Sequence, residues 1–219
     1  MLSSTPRTQI KKGAHKAVFD RNQLDKIIDE SLIAHIAIDD GQGPIVIPML
    51  AWRVDNYVYI HGANNSRLMR YLGKSYQTCL TFTLFDGWVL AKSAFHHSAH
   101  YRSAAVLGKF ELVGDNVEKD RLLNHFLEQI APGRSHDVRP SSQRELAATT
   151  LLKMPLTEAS VKISCHGVRD EEYDLDRPVW AGILPYKTVV GPLQSADSSS
   201  DITEPDYSTA YGERWFSNQ

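Results

Sequence analysis

The segment QTCLTFTLFDGWVLAKSAFHHSAHYRSAAVLGKFELV, residues 77–113, decides the fold class of this chain. It is rich in β-branched, aromatic and small apolar residues, which favour strands. Asp86-Gly87 separates two β-prone runs, and this dipeptide is the strongest short-range signal for a two-residue hairpin turn. Gly108 lies further along, where a bulge or a sharp bend is natural. The segment therefore predicts consecutive antiparallel strands.

The residues before this segment predict a helix and three more strands. Asp20 and Gln23 form the pattern of a capping box, and the apolar residues that follow recur at helical spacing. IAHIAID and PIVIPML, on either side of GQG, predict a hairpin, and NYVYI predicts a third strand. Pro48 cannot donate to a ladder, so we expect it at an edge, at a bulge or where the backbone faces another group. A short helix is predicted over 66–72.

The residues after the segment predict two helices and additional strands. A polar helix is expected over about 117–130, followed by the loop APGRSHDVRPSS and a short helix around Glu145. TTLLKMPL, EASVKISCH and PVWAGILPYKTVV supply at least two strands. The total is about seven strands, without the strand-helix alternation of a doubly wound fold. We therefore predict a mainly β (α+β) fold, an antiparallel barrel or sandwich with peripheral helices.

The chain is expected to form one domain with a polar tail. No internal repeat divides residues 1–191, which we assign to the domain. Residues 192–219 are polar and rich in Ser and Asp, and residues 195–208 are expected to be mobile.

Composition excludes several classes of function. The 219 residues are 42% hydrophobic and carry a formal net charge of -2, so no overall positive field favours a nucleic-acid partner. No run of about 18 apolar residues predicts a membrane helix, and the N-terminus lacks the apolar core of a secretory signal. Cys79 and Cys165 stand in apolar surroundings and are expected to be buried thiols rather than a disulfide. The expected location is the cytoplasm.

The first candidate for chemistry is HGANNSR, residues 61–67, which we call the 61–67 turn. Small and turn-forming residues leave backbone N–H groups free, and Arg67 adds a fork of donors, so the turn has the ingredients of a phosphate site. The alternative is an ordinary polar turn with a solvated arginine. No GxxxxGK[ST] or GxGxxG pattern favours a triphosphate or a dinucleotide.

The second candidate is SAFHHSAHYRS, residues 93–103, which places three histidines within five positions. His96 or His97, together with His100, are compatible with a metal on one helical face, but no companion Cys or HExxH pattern supports zinc. The cluster is also compatible with a ligand pocket or with a structural loop. Trp180 is compatible with contact to a planar ring or with an ordinary core position, and Trp88 has the same ambiguity. No GxSxG elbow supports a covalent hydrolase.

Taken in order, these motifs resemble the pyridoxamine 5'-phosphate oxidase-like flavoproteins of the FMN-binding split-barrel fold. The similarity is strongest to the flavin-nucleotide-binding branch, which includes nitroimidazole-resistance proteins. It extends from about Arg7 to Lys187 and rests on RTQIKKGAHKAVFD, VIPMLAWR, YIHGANNSRLMR, LFDGWVLAKSAFHHSAHYRSAAVLGK and PVWAGILP. The most specific of these is SAFHHS followed by YRS.

The resemblance implies an antiparallel split β-barrel that binds FMN. The residues implied for the FMN phosphate are His61, Gly62, Ser66 and Arg67. The strand implied beneath the isoalloxazine ring carries Ile47, Pro48 and Met49. The residues implied to complete the pocket are Ser93, Phe95, His97, Tyr101, Arg102 and Ser103. Trp180 resembles a late tryptophan that reaches the flavin from the second subunit, which implies a homodimer.

Departures from the founding oxidase limit the functional expectation. The basic residue after its Ser-Arg pair is Leu68 here, its ring-strand lysine is replaced near Trp52, and its B6-binding arginine and histidine have no match in GILPYKTVVG. We therefore expect an FMN-dependent oxidoreductase that reduces a small nitro-aromatic or quinone-like acceptor, with NADH or NADPH as electron donor and His96 or His97 as proton donor. The alternatives are a non-catalytic flavin-binding or sensor protein, pyridoxamine 5'-phosphate oxidase activity, and a haem- or metal-binding barrel. No resident metal is expected.

Overall fold

Strands in two antiparallel sheets dominate the structure, a computed structural model that describes Leu2 and residues 5–207. The strands of the seven-stranded sheet are β1 (Ala17–Val18), β2 (Ile33–Asp39), β3 (Pro44–Leu50), β6 (Gln77–Leu90), β7 (Ser98–Lys109), β10 (Ala159–Ser164) and β11 (Gly182–Pro185). Their order is β1-β10-β7-β6-β2-β3, and β11 also pairs with β6. The four-stranded sheet has the order β4 (Trp52–Val54), β5 (Tyr57–Ala63), β9 (Thr149–Pro155), β8 (Glu111–Leu112).

The predicted turn at Asp86-Gly87 is wrong. β6 continues through both residues as one long strand, and its register against β7 shifts between Phe85 and Gly87, so the dipeptide forms a bulge. The hairpin turns at residues 91–97 instead, which we call the histidine loop. Gly87 has φ of +152°, and a Cβ there would lie 2.6 Å from the carbonyl oxygen of Leu184, so only glycine lets β11 approach.

The predicted bulge at Gly108 is also absent, because this residue pairs with Thr78 in regular register. A Cβ at Gly108 would lie 3.3 Å from the Met154 side chain. Its role is therefore to make room for a residue of the other sheet rather than to bend the strand.

Helices form at four predicted places, as α1 (Arg21–Ser31), α2 (Arg67–Leu72), α3 (Asn116–Ile130) and α5 (Gln143–Ala148). A further short helix, α4 (Arg134–Asp137), lies within APGRSHDVRPSS, which was predicted as a loop. Asp20 caps α1 by accepting a hydrogen bond from the N–H of Asn22 at 3.0 Å. A reciprocal capping box, predicted there with Gln23, is formed instead at Ser142 and Glu145 at the start of α5.

Two apolar cores hold these elements together. The larger core lies between the two sheets and α1, where residues such as Leu24, Phe82 and Leu152 are fully buried. The smaller core packs Trp52 and Tyr59 of the four-stranded sheet against α3. Since only one face of the seven-stranded sheet covers a core, its other face is available for binding.

We call this second face the open face. Strand alternation places the outward residues opposite the buried ones, and the pairing register aligns them across the sheet. The outward residues used below are Ile33, His35, Val46, Pro48, Leu50, Thr81, Thr83, Phe85, Tyr101, Ser103, Ala105 and Lys162.

Both cysteines are free, as predicted, but they are less buried than predicted, since Cys79 is half-buried and Cys165 is exposed. None of the helices in the described residues is long and apolar enough to cross a membrane. The polar segment after residue 191 contains a short 3-10 turn, Asp197–Ser199. Residues 208–219, the last part of the predicted tail, lie outside the described residues.

Candidate functional site

The 61–67 turn connects β5 to α2 and exposes Arg67. Ser66 occupies the N-cap position of α2, and its side chain makes no capping hydrogen bond. The Arg67 side chain is 61% exposed and forms an ion pair with Asp40, in the connection between β2 and β3. Arg67 holds the pKa of the Asp40 carboxyl below its usual value, chiefly through a hydrogen bond. A guanidinium that already holds a carboxylate oxygen at the surface is suited to a phosphate oxygen.

His61 and Gly62 point to opposite faces of β5, so the structure does not bring all four predicted phosphate residues together. A Cβ at Gly62 would lie 2.9 Å from Cγ of Met69, so this glycine allows α2 to pack on the strand. The His61 ring lies on the α3 side, with its centroid 5.6 Å from those of Trp52 and Phe126. Its Nδ1 is buried without a partner among the described residues, and burial lowers the pKa of His61.

The predicted ring strand is β3, at one end of the sheet order, so the edge position expected for Pro48 is confirmed. Pro48 lies opposite His35 on the open face. The side chains of Ile47 and Met49 point the other way and pack against the larger core. Of the three predicted residues, only Pro48 presents its side chain to a ligand on this face.

The floor of the open face, on β6 and β7, is lined by small side chains, and His35 of β2 separates it from Pro48. Thr81, Thr83, Ser103 and Ala105 occupy adjacent outward positions on β6 and β7. None of these side chains is large, so a planar ring can lie across the strands without displacing one. Tyr101 borders this floor next to Phe85, its cross-strand partner.

The histidine loop holds His96 and His97 through Ser93. The Ser93 hydroxyl lies 2.8 Å from Nδ1 of His96, and Nδ1 of His97 lies 2.9 Å from the Ser93 carbonyl oxygen. Since a carbonyl can only accept, Nδ1 of His97 is the donor in this hydrogen bond. Asp170 accepts hydrogen bonds from the N–H groups of Lys92 and Ser93, which fixes the loop.

His100 does not join the other two histidines. It lies in β7, and its Nε2 is 2.7 Å from the carbonyl oxygen of His166. The described residues contain no group of three or more His, Cys, Asp or Glu side chains that could hold a metal ion. A metal site built on the three histidines therefore has no support from the structure.

Arg102 points to the core side of the hairpin, where two carboxylates engage it. Its Nε and Nη2 donate to Asp86 at 2.9 and 2.8 Å, and Nη1 and Nη2 donate to Glu30 of α1. These hydrogen bonds raise the pKa of the Arg102 guanidinium. The predicted role of Arg102 in the flavin pocket has no support here, whereas its neighbours Tyr101 and Ser103 do lie on the open face.

Trp180 and Phe95 lie at the histidine-loop end of the molecule. Trp180 precedes β11, whose first residue pairs with Leu90, and the indole covers Gly182, where a Cβ would clash with it. Trp180 is 67% exposed and Phe95 is 90% exposed. The predicted core position of Trp180 is therefore excluded, and both rings are available to a ligand or to another chain.

Sequence reasoning missed His35, Asp40 and His166. His35 shares the open face with Pro48, and the hairpin register of IAHIAID against PIVIPML could have indicated it. Asp40 and His166 meet their partners only through tertiary contacts, for which the sequence carries no local signal.

Comparison with known proteins identifies the family. The sequence model described as pyridoxamine 5'-phosphate oxidase matches residues 20–163. The chain belongs to the pyridoxamine 5'-phosphate oxidase family. This confirms the resemblance and the split-barrel fold predicted from the motifs, and the family includes flavin-dependent oxidoreductases. A search of curated proteins gives no match.

Two solved structures resemble this family member over most of both chains. The flavocytochrome Anf3 from Azotobacter vinelandii is 32% identical with a TM-score of 0.87, covering 92% of this chain and 94% of Anf3. The FAD and haem binding protein from Mycobacterium smegmatis is 30% identical with a TM-score of 0.82, covering 87% and 94%. A candidate 5-nitroimidazole resistance protein from Bacteroides thetaiotaomicron shares the fold at 22% identity and a TM-score of 0.58, covering 67% and 86%. The fold is thus a flavin-binding one.

Proposed function

We propose that this chain is an oxidoreductase that binds a flavin nucleotide on the open face and reduces a small nitro-aromatic or quinone-like acceptor. The observation that carries the proposal is the exposed guanidinium of Arg67, paired with Asp40 in the connection between β2 and β3, at the end of the sheet whose open face includes Pro48. Family membership supports the same assignment. FMN is the nucleotide expected from the motifs, and FAD is favoured by the M. smegmatis relative. A bound flavin supplies the electron-transfer chemistry, and the protein supplies binding and orientation.

The residues present fit such a group. Arg67 provides charged donors for the phosphate, and the Ser66 hydroxyl is not used as a helix cap. The floor of small residues, which includes Ser103, suits a planar ring, with Tyr101 at one border and His35 and Pro48 at the other. His96 and His97 are the candidate proton donors, and for His97 the exchangeable position is the outward Nε2.

We infer that the site is completed by a second copy of the chain. Arg67 contacts Asp40, three residues beyond Ala37, which is level with Cys79 of β6, whereas Trp180 lies two residues before Gly182, which pairs with Leu90. Between Cys79 and Leu90, at about 3.3 Å per residue, β6 extends for roughly 35 Å. One flavin is too short to contact Arg67 and Trp180 of the same chain. A homodimer, in which Trp180 comes from the other copy, removes this difficulty.

Apolar side chains on the open face support the same inference. Val46 is 59% exposed, and Ile33, Leu50, Phe85 and Trp88 are also exposed. Exposed apolar residues that are contiguous on one face mark interaction surfaces. We therefore propose that a second copy of the chain covers this face.

Pyridoxamine 5'-phosphate is not the substrate we propose. Leu68, which follows the Ser-Arg pair, is buried in the larger core, and Trp52 is buried in the smaller one. Neither position can present a basic group to a phosphorylated substrate.

The test is reconstitution followed by reduction. The purified chain is expected to retain a flavin absorbance spectrum after incubation with FMN or FAD, and mass spectrometry of the released cofactor identifies which of them it prefers. Stopped-flow mixing with NADH or NADPH should bleach this spectrum, and a quinone or nitro-aromatic should restore it. A protein that stays colourless contradicts flavin binding. A flavin that neither donor reduces supports the alternative of a non-catalytic binding or sensor protein.

A second candidate function is the binding of haem in addition to a flavin, and His97 is the residue that favours it. Its Nδ1–H is donated to the Ser93 carbonyl, which leaves Nε2 as the ligand atom, the arrangement usual for a metal-bound histidine. The two relatives described as a flavocytochrome and as an FAD and haem binding protein favour the idea. Haem titration should shift and sharpen the Soret band relative to that of free haem, and His97→Ala should abolish this change while His96→Ala retains it. A Soret band in the presence of the unmodified chain that is the same as that of free haem refutes the idea.

A further inference from the structure

Two lysine side chains lie close together at the β1–β10 end of the seven-stranded sheet. Lys16 ends a short 3-10 turn just before β1, and Lys162 lies in β10, where it pairs with Ala17. The point where Gly13 would carry a Cβ lies 3.6 Å from Nζ of Lys162 and 4.0 Å from Cδ of Lys16. Both side chains therefore pass the same point of the turn.

Neither ammonium group is neutralised within the described part of the chain. No carboxylate lies within 4.0 Å of either, and neither donates a hydrogen bond there. Lys16 Nζ instead lies over the Tyr101 ring, 5.5 Å from its centroid. By contrast, Lys92 and Lys119 each donate to two backbone carbonyls. Two cations without a carboxylate partner in this part of the chain attract an anion.

The lysine pair lies far from Arg67, the residue proposed to hold the flavin phosphate in the same chain. Lys162 lies opposite Ser103, which is opposite Thr83, so the pair faces the same side of the sheet as Pro48. Four strand spacings of about 4.8 Å separate β3 from β10, which places the pair roughly 20 Å from Pro48. The pair is thus at the opposite side of the floor from β3 and the Arg67–Asp40 pair.

We propose that Lys16 and Lys162 form a diphosphate subsite, which receives the pyrophosphate group of a reduced nicotinamide nucleotide beside the flavin. Each lysine supplies one ammonium group, Lys162 beside Gly13 and Lys16 over the Tyr101 ring, and a diphosphate has two phosphates that each accept from a charged donor. The identity of the donor rests on the proposed function. The anion subsite itself rests only on the geometry of the two lysines.

The test uses Lys16→Gln/Lys162→Gln, with Lys26→Gln/Lys74→Gln as a control that changes the net charge equally at exposed positions. Titration calorimetry at low ionic strength measures inorganic pyrophosphate binding to the purified chain without added flavin. We expect at least a tenfold weaker affinity in the first variant, as loss of one or more charge-assisted hydrogen bonds predicts, and less than twofold change in the control. Equal pyrophosphate affinity in both variants overturns the subsite.

A second measurement identifies the ligand of the subsite. The dissociation constant of NADPH, taken from the concentration dependence of flavin reduction, should rise at least tenfold in the lysine variant, while flavin affinity stays within twofold. A parallel loss of flavin affinity overturns the assignment, because the lysines then hold a flavin phosphate of the other copy. If the unmodified chain takes up no flavin, the proposed function fails, and the pyrophosphate titration still decides whether the anion subsite exists.

Discussion

Replacement of Arg102 by methionine should destabilise the fold while leaving flavin binding intact. The guanidinium joins α1 to the long hairpin through Glu30 and Asp86, and their side chains are only 12% and 31% exposed. The substitution leaves both carboxylates without their cation. Removing one partner of a fully buried pair costs about 3–5 kcal/mol, so the partial exposure here predicts a loss of about 2–4 kcal/mol. For a chain of this size that corresponds to a drop in Tm of roughly 5–15 °C.

Urea unfolding followed by circular dichroism measures this loss. The matched control is Arg21→Met, which removes the ion pair with Asp25 four residues along α1; because Asp25 keeps Arg53 as a second cation, only about 0.3–0.5 kcal/mol is expected. A triple variant, Arg102→Met with Glu30→Gln and Asp86→Asn, should recover part of the loss because no charge is left unpaired. If Arg102→Met unfolds at the same urea concentration as the unmodified chain, the ion triad does not hold α1 in place. If flavin affinity falls with stability intact, Arg102 belongs to the pocket after all.

The other predictions concern a buried histidine, a glycine and the dimer. Burial lowers the pKa of His61 below its ordinary 6.5, so the unfolded chain binds more protons as the pH falls through 6.5, and stability should decrease there. His61→Phe should reduce this pH dependence of Tm, whereas the control His136→Gln, at an exposed site, should leave it unchanged. If Tm changes equally with pH in both variants, His61 is not the source of the pH dependence. Gly87→Ala should lower Tm by several degrees, because its Cβ meets the Leu184 carbonyl, and an unchanged Tm would show that β11 does not pack there. Val46→Lys should yield monomers in analytical ultracentrifugation, and a dimer that persists places the interface elsewhere.

Local patterns predicted most of the elements, because strands and helices depend on residues close together in the sequence. The α1 cap, the β2–β3 hairpin and α3 are confirmed for this reason. Asp86-Gly87 failed because tertiary contacts override its turn preference. Arg102 binds the Asp86 carboxylate, and β11 pairs along the strand at Gly87, so both residues are more stable within β6.

The site was predicted less completely than the fold, because motif order does not specify which face a side chain occupies. His61 and Gly62 are neighbours in the motif but lie on opposite faces of β5. The same alternation turns Arg102 inward and Ser103 outward. Contacts between distant segments, such as Arg67 with Asp40 and Lys16 beside Lys162, need the folded chain before they can be recognised.

Arg67 is the residue that we propose to hold the phosphate of a flavin nucleotide. The most direct test of this proposal is the flavin dissociation constant of Arg67→Ala, measured by quenching of flavin fluorescence, beside Arg70→Ala three residues later on the exposed side of α2. Loss of one charge-assisted hydrogen bond, about 1.5–3 kcal/mol, predicts that Arg67→Ala binds flavin roughly 10- to 150-fold more weakly, with Arg70→Ala unchanged. Riboflavin, which lacks the phosphate, should bind both variants equally. Unchanged flavin affinity in Arg67→Ala would contradict the assignment of Arg67 to the flavin phosphate.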